Sequence, residues 1–272
     1  MDWLHLWPLA LLLLATGLVA GLVAGLLGVG GGIILVPVLD LVLRYLGVPP
    51  EGSMHVAVAT SLATIIPTAI ASSRAHHARD GIDWSLARAW LPGLLLGSLI
   101  GSLLAARVSA QTLAGMFAIV TILVALKMVL PLDHWRLRET VPRGFAGNLI
   151  ASIISAVSSM MGIGGGTLSV PVMTLTGMAV HRAVGTAAFF GLALAIPGTI
   201  GYLLADPPVD MPGATVGLVS VSALMAIVPT STWMAPIGAR LAHRLDRRRL
   251  TQVFGLFLCL VAVRMIFRSL SS

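Results

Sequence analysis

Gly28-Val-Gly-Gly-Gly-Ile-Ile-Leu-Val-Pro-Val-Leu39 recurs further along the chain as Gly162-Ile-Gly-Gly-Gly-Thr-Leu-Ser-Val-Pro-Val-Met173. Seven of the twelve positions are identical, including all four glycines and Pro37/Pro171. Self-similarity of this kind marks a duplicated unit, and two further matches follow in the same order. His55-x-Ala-x-Ala-Thr60 corresponds to His181-x-Ala-x-Gly-Thr186. Pro92, Gly101, Phe117 and Lys127 correspond at one offset to Pro229, Gly238, Phe254 and Arg264. The chain therefore reads as a tandem duplication: a first repeat over 1–133, a basic linker over 134–143 and a second repeat over 144–272.

The medium is the bilayer. Hydrophobic residues make up 57% of the 272 and charged residues only 10%, against roughly a quarter charged in soluble domains. Runs such as Leu9–Leu27, Leu94–Ala106 and Val253–Val263 contain no charged residue, and Leu113–Val129 contains only Lys127 near its end. A spanning helix needs about 20 mostly apolar residues. The start of the chain lacks a basic n-region and carries Asp2, so Leu9–Leu27 is expected to be a retained span rather than a cleaved signal. The net charge of +7 points to cytoplasmic loops of a membrane protein, not to nucleic acid.

The expected fold is an all-α polytopic membrane protein of about ten segments. The hydrophobic runs place helices near 9–27, 33–47, 54–73, 85–106 and 111–131, then 144–161, 167–180, 183–204, 213–235 and 250–268. The segments after each glycine cluster are too short for the ~30 Å hydrocarbon core, so a count of eight spans is the alternative. Five helices per repeat is odd, which inverts the second repeat relative to the first. Charge supports this: of the basic residues, thirteen (Arg74, Arg79, Arg88, Lys127, Arg136, Arg138, Arg143, Arg182, Arg240, Arg244, Arg247, Arg248, Arg249) fall on one side and four (Arg44, Arg107, Arg264, Arg268) on the other. The basic side is cytoplasmic by the positive-inside rule, leaving both termini outside.

Inverted repeats with interrupted helices are a transporter architecture, with the substrate near the midplane at the repeat interface. Irregular backbone at that depth survives only inside protein or beside a water-filled cavity. Gly30, Gly31 and Gly32, with Gly164, Gly165 and Gly166, are expected to turn the chain with φ > 0. The helices that follow then aim unpaired N–H groups at an anion, and hydroxyls of Thr60, Ser61, Thr167 and Thr186 complete the cradle. The competing reading is close packing, which suffices for Gly17, Gly21 and Gly25 and for Gly93, Gly97 and Gly101. Ala substitutions at Gly31 and Gly165 are expected to lower anion affinity more than expression if the cradle reading holds.

Three ionisable residues are candidates for coupling or anion contact. Asp40 interrupts a short apolar helix, where an ionised carboxylate costs about 3 kcal/mol or more, although Arg44 sits at ion-pair spacing. His55 and His181 occupy matching helix starts, where a plain interfacial cap is the alternative. His76-His77 is expected in an interfacial basic loop. No cluster has metal-ligand spacing, no Lys follows the glycines as a phosphate loop requires, and no Gly-x-Ser-x-Gly elbow supports an intramembrane hydrolase. No enzyme activity, cofactor or metal is expected.

With these residues in view, the chain resembles the sulfite exporter TauE/SafE family. The likeness rests on Gly21-x-x-x-Gly-Leu-Leu-Gly-Val-Gly-Gly-Gly32, Val36-Pro37, Pro49-Pro50, His55-Val-Ala-Val-Ala-Thr-Ser61, Ala75-His-His-Ala-Arg-Asp-Gly-Ile-Asp-Trp84 and Gly-Ile-Gly-Gly-Gly166. It implies a transporter of small sulfur-containing or carboxylate anions, such as sulfite or an organosulfonate, in the bacterial inner membrane. Where the family reads Gly-Thr-Ser, this chain has Ala59-Thr60-Ser61 and Gly185-Thr186-Ala187, so the halves are expected to contribute unequally. The reading is a secondary transporter working by alternating access, its partners a small anion and the lipid bilayer, with homo-oligomerisation open. The alternative is a non-transporting scaffold or insertase-like interaction protein.

Overall fold

The computed structural model describes residues 3–129, 140–206, 214–242, 259 and 261–267. The linker call at 134–143 and the last helix call at 250–268 fall largely outside them. Among the described residues the chain forms α1 (Trp3–Leu27), α2 (Gly32–Tyr45), α3 (Pro50–His77), α4 (Trp84–Ala105), α5 (Ala110–Val129), α6 (Gly144–Met160), α7 (Gly166–Leu175), α8 (Val180–Leu203) and α9 (Val221–Leu241). Residues 261–267 are also helical. Five helices, α1, α3, α4, α8 and α9, are long and apolar enough to cross a membrane. Among the described residues the protein is all-helical apart from one small hairpin, and it has the build of a polytopic membrane protein.

Several boundaries differ from expectation: α1 begins at Trp3 rather than 9, α3 spans Pro50–His77 rather than 54–73, and α9 ends at Leu241 rather than 235, while two further differences have a local cause. The segment expected as a helix from 213 begins with a two-residue hairpin, β1 (Thr215–Val216) and β2 (Val219–Ser220). Gly217 turns it with φ 54, and Ser220 then caps α9 by accepting the Ala223 N–H. The second post-glycine helix, α7, ends at Leu175 rather than near 180. Its ten residues rise only about 15 Å, because Gly177 at φ 89 turns the chain into α8.

The two repeats meet through reciprocal contacts. A Cβ built on Gly30 would fall 2.6 Å from the Cα of Gly164, its repeat partner. One on Gly32 would strike the Gly162 carbonyl oxygen, and one on Gly166 the Gly28 carbonyl oxygen. A Cβ on Gly28 would lie 2.6 Å from Val184 O, and one on Gly162 2.7 Å from Val58 O. Gly101 meets Ala156 O where Gly238 meets Leu22 O. Each of these contacts has its mate at the corresponding residues of the other repeat.

Hydrogen bonds follow the same rule. In the first half of α3, Thr60 Oγ1 accepts from the Ser220 N–H at 2.9 Å. Near the start of α8, Thr186 Oγ1 accepts from the Asp83 N–H at 2.9 Å. Ser220 and Asp83 are the N-caps of α9 and α4. The start of α8 thus lies beside the loop after α3, with Gly185 against Gly81 O. The equivalent helices α3 and α8 run past one another in opposite directions.

The glycines spaced four apart serve packing. Gly17, Gly21 and Gly25 let α1 lie backbone to backbone on α9, and Gly93, Gly97 and Gly101 do the same for α4 on α6. Such small-residue stripes hold membrane helices together by close contact.

Candidate functional site

The glycine clusters cross at the centre of the fold. Ile33, which follows the first, and Ile163 within the second are fully buried. The expected conformation holds only in part. Gly30 and Gly31 have φ 77 and 73, together with Gly28 and Gly162, whereas Gly32, Gly164, Gly165 and Gly166 do not adopt positive φ. Gly165, the N-cap of α7, is right-handed at φ −54. Glycine is required in the second cluster for close approach: a Cβ on Gly165 would lie 2.9 Å from Phe190.

The starts of α2 and α7 do face the opposite repeat, as an anion cradle requires. Each already has a neighbour there, the Gly162 carbonyl oxygen at Gly32 and the Gly28 carbonyl oxygen at Gly166. The crossing is therefore closed over itself.

The hydroxyls divide into two groups. Thr60 and Thr186 hold the caps of α9 and α4, and Ser61 donates to Gly162 O at 2.8 Å. These three fasten the crossing. Thr167, at the start of α7, is buried and its Oγ1 has no hydrogen-bond partner. Ser158, beside the second glycine cluster, and Ser72, on α3, are in the same condition. A buried hydroxyl without a partner costs about 1–3 kcal/mol, so unsatisfied groups call for an occupant.

Ser72 shows where that occupant fits. A cavity of about 10 Å³ lies against the crossing, lined by Gly28, Gly30, Thr68, Ser72, Ala188 and Gly191 among others. This is about the volume one water needs. Sequence reasoning passed over its polar lining, although the signal was present. Thr60, Thr64, Thr68, Ser72 and His76 fall every fourth residue, which sets them on one face of a helix. All five are buried. His76, expected in an interfacial basic loop, instead lies in the last turn of α3, buried, with Nε2 3.1 Å from Gly25 O.

The ionisable candidates lie away from the crossing. His55 is buried, with Nδ1 3.0 Å from Glu51 O and Nε2 2.9 Å from Val108 O. Both partners only accept, so a neutral ring serves one of them at a time. His181 is exposed, so the sequence pairing of the two histidines does not extend to their surroundings. Asp40 is buried and accepts from Ser53 Oγ at 2.6 Å. Arg264 donates to Pro37 O at 2.7 Å and lies within electrostatic range of Asp40 and Arg44. Asp40 thus ties α2, α3 and the last helical segment together.

These features define the class: a helical membrane protein with two mutually crossing, glycine-broken repeats. The sulfite exporter TauE/SafE family model matches residues 13–265, and the chain belongs to that family. It is 32% identical over 260 residues to a probable membrane transporter protein of Haemophilus influenzae, covering 95% of this chain and 98% of that protein. A probable membrane transporter protein of Bacillus subtilis is 24% identical, covering 96% and 98%. One of Methanocaldococcus jannaschii is 26% identical, covering 95% and 97%. No solved structure gives a significant match. Family and fold together make the chain a multi-pass membrane transporter protein.

Proposed function

We propose that the protein is a secondary transporter that moves a small anion, such as sulfite, an organosulfonate or a related carboxylate, across a bacterial inner membrane by alternating access. The reciprocal crossing of Gly28–Gly32 with Gly162–Gly166 carries this reading. In an inverted pair with opposite sides exposed in turn, the element at the two-fold must serve both states. Here that element is two helix starts, each packed through its first glycine against a carbonyl oxygen of the other repeat. An anion entering as the repeats part would meet the N–H groups of both helix starts. Thr167, Ser158 and Ser72 supply hydroxyl donors that are buried and unused in the closed state.

The thirteen-to-four distribution of basic residues supports the inversion and directs the loop after α3 to the cytoplasm. A ligand-stabilisation screen of purified protein against sulfite, sulfonates and small carboxylates tests the reading. A bound anion at about 100 Kd adds close to 2.7 kcal/mol, visible as a raised melting temperature. Thr167→Val is expected to remove that increment while preserving the fold. No shift with any anion would favour a scaffold or insertase-like role instead.

A further inference from the structure

The two repeats fold alike but line their helices differently, and the difference is systematic along the face of α3 that carries the cavity. Thr68 of the first repeat corresponds to Leu194 of the second, and Ser72 to Gly198. On the partner helices Ser231 corresponds to Leu94. Thr68 and Ser231 share a hydrogen bond at 3.0 Å, whereas Leu94 and Leu194 are fully buried and apolar. The cavity exists because Ala188 and Gly191 stand where the opposite side has Leu62 and Ile65. There the Leu62 Cδ2 fills the space beside Gly198, and Ile65 is fully buried.

We infer that the substrate path has one polar leg and one apolar gate. The polar leg runs from Gly30 past Thr68, Ser231 and Ser72 toward His76 and the basic last turn of α3, which carries Arg74. Ser72 donates one hydrogen bond to an oxygen of a small oxyanion, for which the one-water cavity widens as the repeats part, whereas Thr68 and Ser231 bond each other and the carbonyls of Thr64 and Val228. The gate is Leu62 and Leu194, buried in one cluster with Leu62 closing against Gly198 on the opposite side. Ser72 is the decisive residue: its hydroxyl is buried, lacks any partner and faces the cavity. This inference rests on the transport reading above and adds the residues and the side from which the path is entered.

Cysteine accessibility tests it. The chain has a single cysteine, Cys259, so Cys259→Ser gives a clean background. Ser72→Cys, Ser231→Cys, Leu94→Cys and Leu194→Cys are each treated in oriented vesicles with the anionic thiol reagent 2-sulfonatoethyl methanethiosulfonate. Cysteines at 72 and 231 are expected to react at least tenfold faster than those at 94 and 194, and only with reagent on the side of the Arg74–Arg79 loop. Having two polar-side positions keeps the test decisive if one variant folds poorly. Equal rates on both legs, or no reaction at 72 and 231 while Ser85→Cys on the surface reacts, overturns the inference. Should the wild-type protein move no anion while the labelling asymmetry persists, the transport reading fails and the asymmetric path does not.

Discussion

His76 and Tyr202 hold the same place in the two repeats: His76 Nε2 lies 3.1 Å from Gly25 O, and the Tyr202 hydroxyl lies 3.1 Å from Ser159 O. The acceptors are repeat partners, as are the rings. Carbonyl oxygens only accept, so the imidazole must carry its proton on Nε2, as the phenol carries its own. The two rings pin the ends of α3 and α8 to α1 and α6 by one geometry with two chemistries.

Removing either ring therefore strands a carbonyl at the same joint. His76→Leu and Tyr202→Phe are each expected to lower stability by about 1–3 kcal/mol. Thermal melts in detergent check this, and a loss confined to one variant would mean the joints are not equivalent.

The glycine crossing should tolerate no side chain. Gly30→Ala and Gly164→Ala each drive a Cβ into the other's backbone, and both are expected to abolish monodisperse protein in gel filtration. Gly47 is the control. It has φ 88 but open space around it, so Gly47→Ala should cost only the left-handed strain, about 1–2 kcal/mol.

Alanine at Gly31 and Gly165 cannot separate binding from packing as the sequence suggested. Those Cβ atoms would lie 2.6 Å from Ala20 O and 2.9 Å from Phe190. Both variants are now expected to lose expression together with any affinity, as immunoblots of membranes would show.

Much of this fold was legible because the duplication and the apolar runs are written in one dimension. The helices appear where Pro, Gly and charge punctuate the hydrophobic sequence. The hairpin at 215–220 was not, because two-residue strands carry no periodicity. The site was half legible. Gly28–Gly32 and Gly162–Gly166 announced a crossing, but identical motifs gave no sign that Gly164–Gly166 serve approach rather than positive φ. Thr60 and Thr186 matched as site residues and proved to be matching cap acceptors. Ser72 was missed since its repeat partner is Gly198, and a search for repeated features discards positions where repeats differ.

Ser61 makes a bond that its partner Ala187 cannot. Ser61→Ala should cost about 1 kcal/mol by freeing Gly162 O. The check is a melt showing a modest loss with the protein still folded. A loss as large as that of Gly30→Ala would show that Ser61 does more than fasten the carbonyl.

Asp40 is expected to act as a structural tie. Asp40→Asn keeps an acceptor for Ser53 Oγ and should retain both fold and transport. A double-mutant cycle of Asp40→Asn with Arg264→Met should return a coupling of about 0.5–3 kcal/mol. Loss of anion flux with an unchanged melting temperature would instead give Asp40 a coupling role.

Counterflow in proteoliposomes tests transport by alternating access most directly. Vesicles containing the purified protein are loaded with a high concentration of unlabelled anion, sulfite or ethanesulfonate in turn, and diluted into trace labelled anion. The account expects label to accumulate transiently above its equilibrium level, at least tenfold over protein-free vesicles. Accumulation should be abolished in Thr167→Val. Absence of counterflow for every anion of the sulfite, sulfonate and carboxylate panel, with the protein still melting cooperatively, would contradict it.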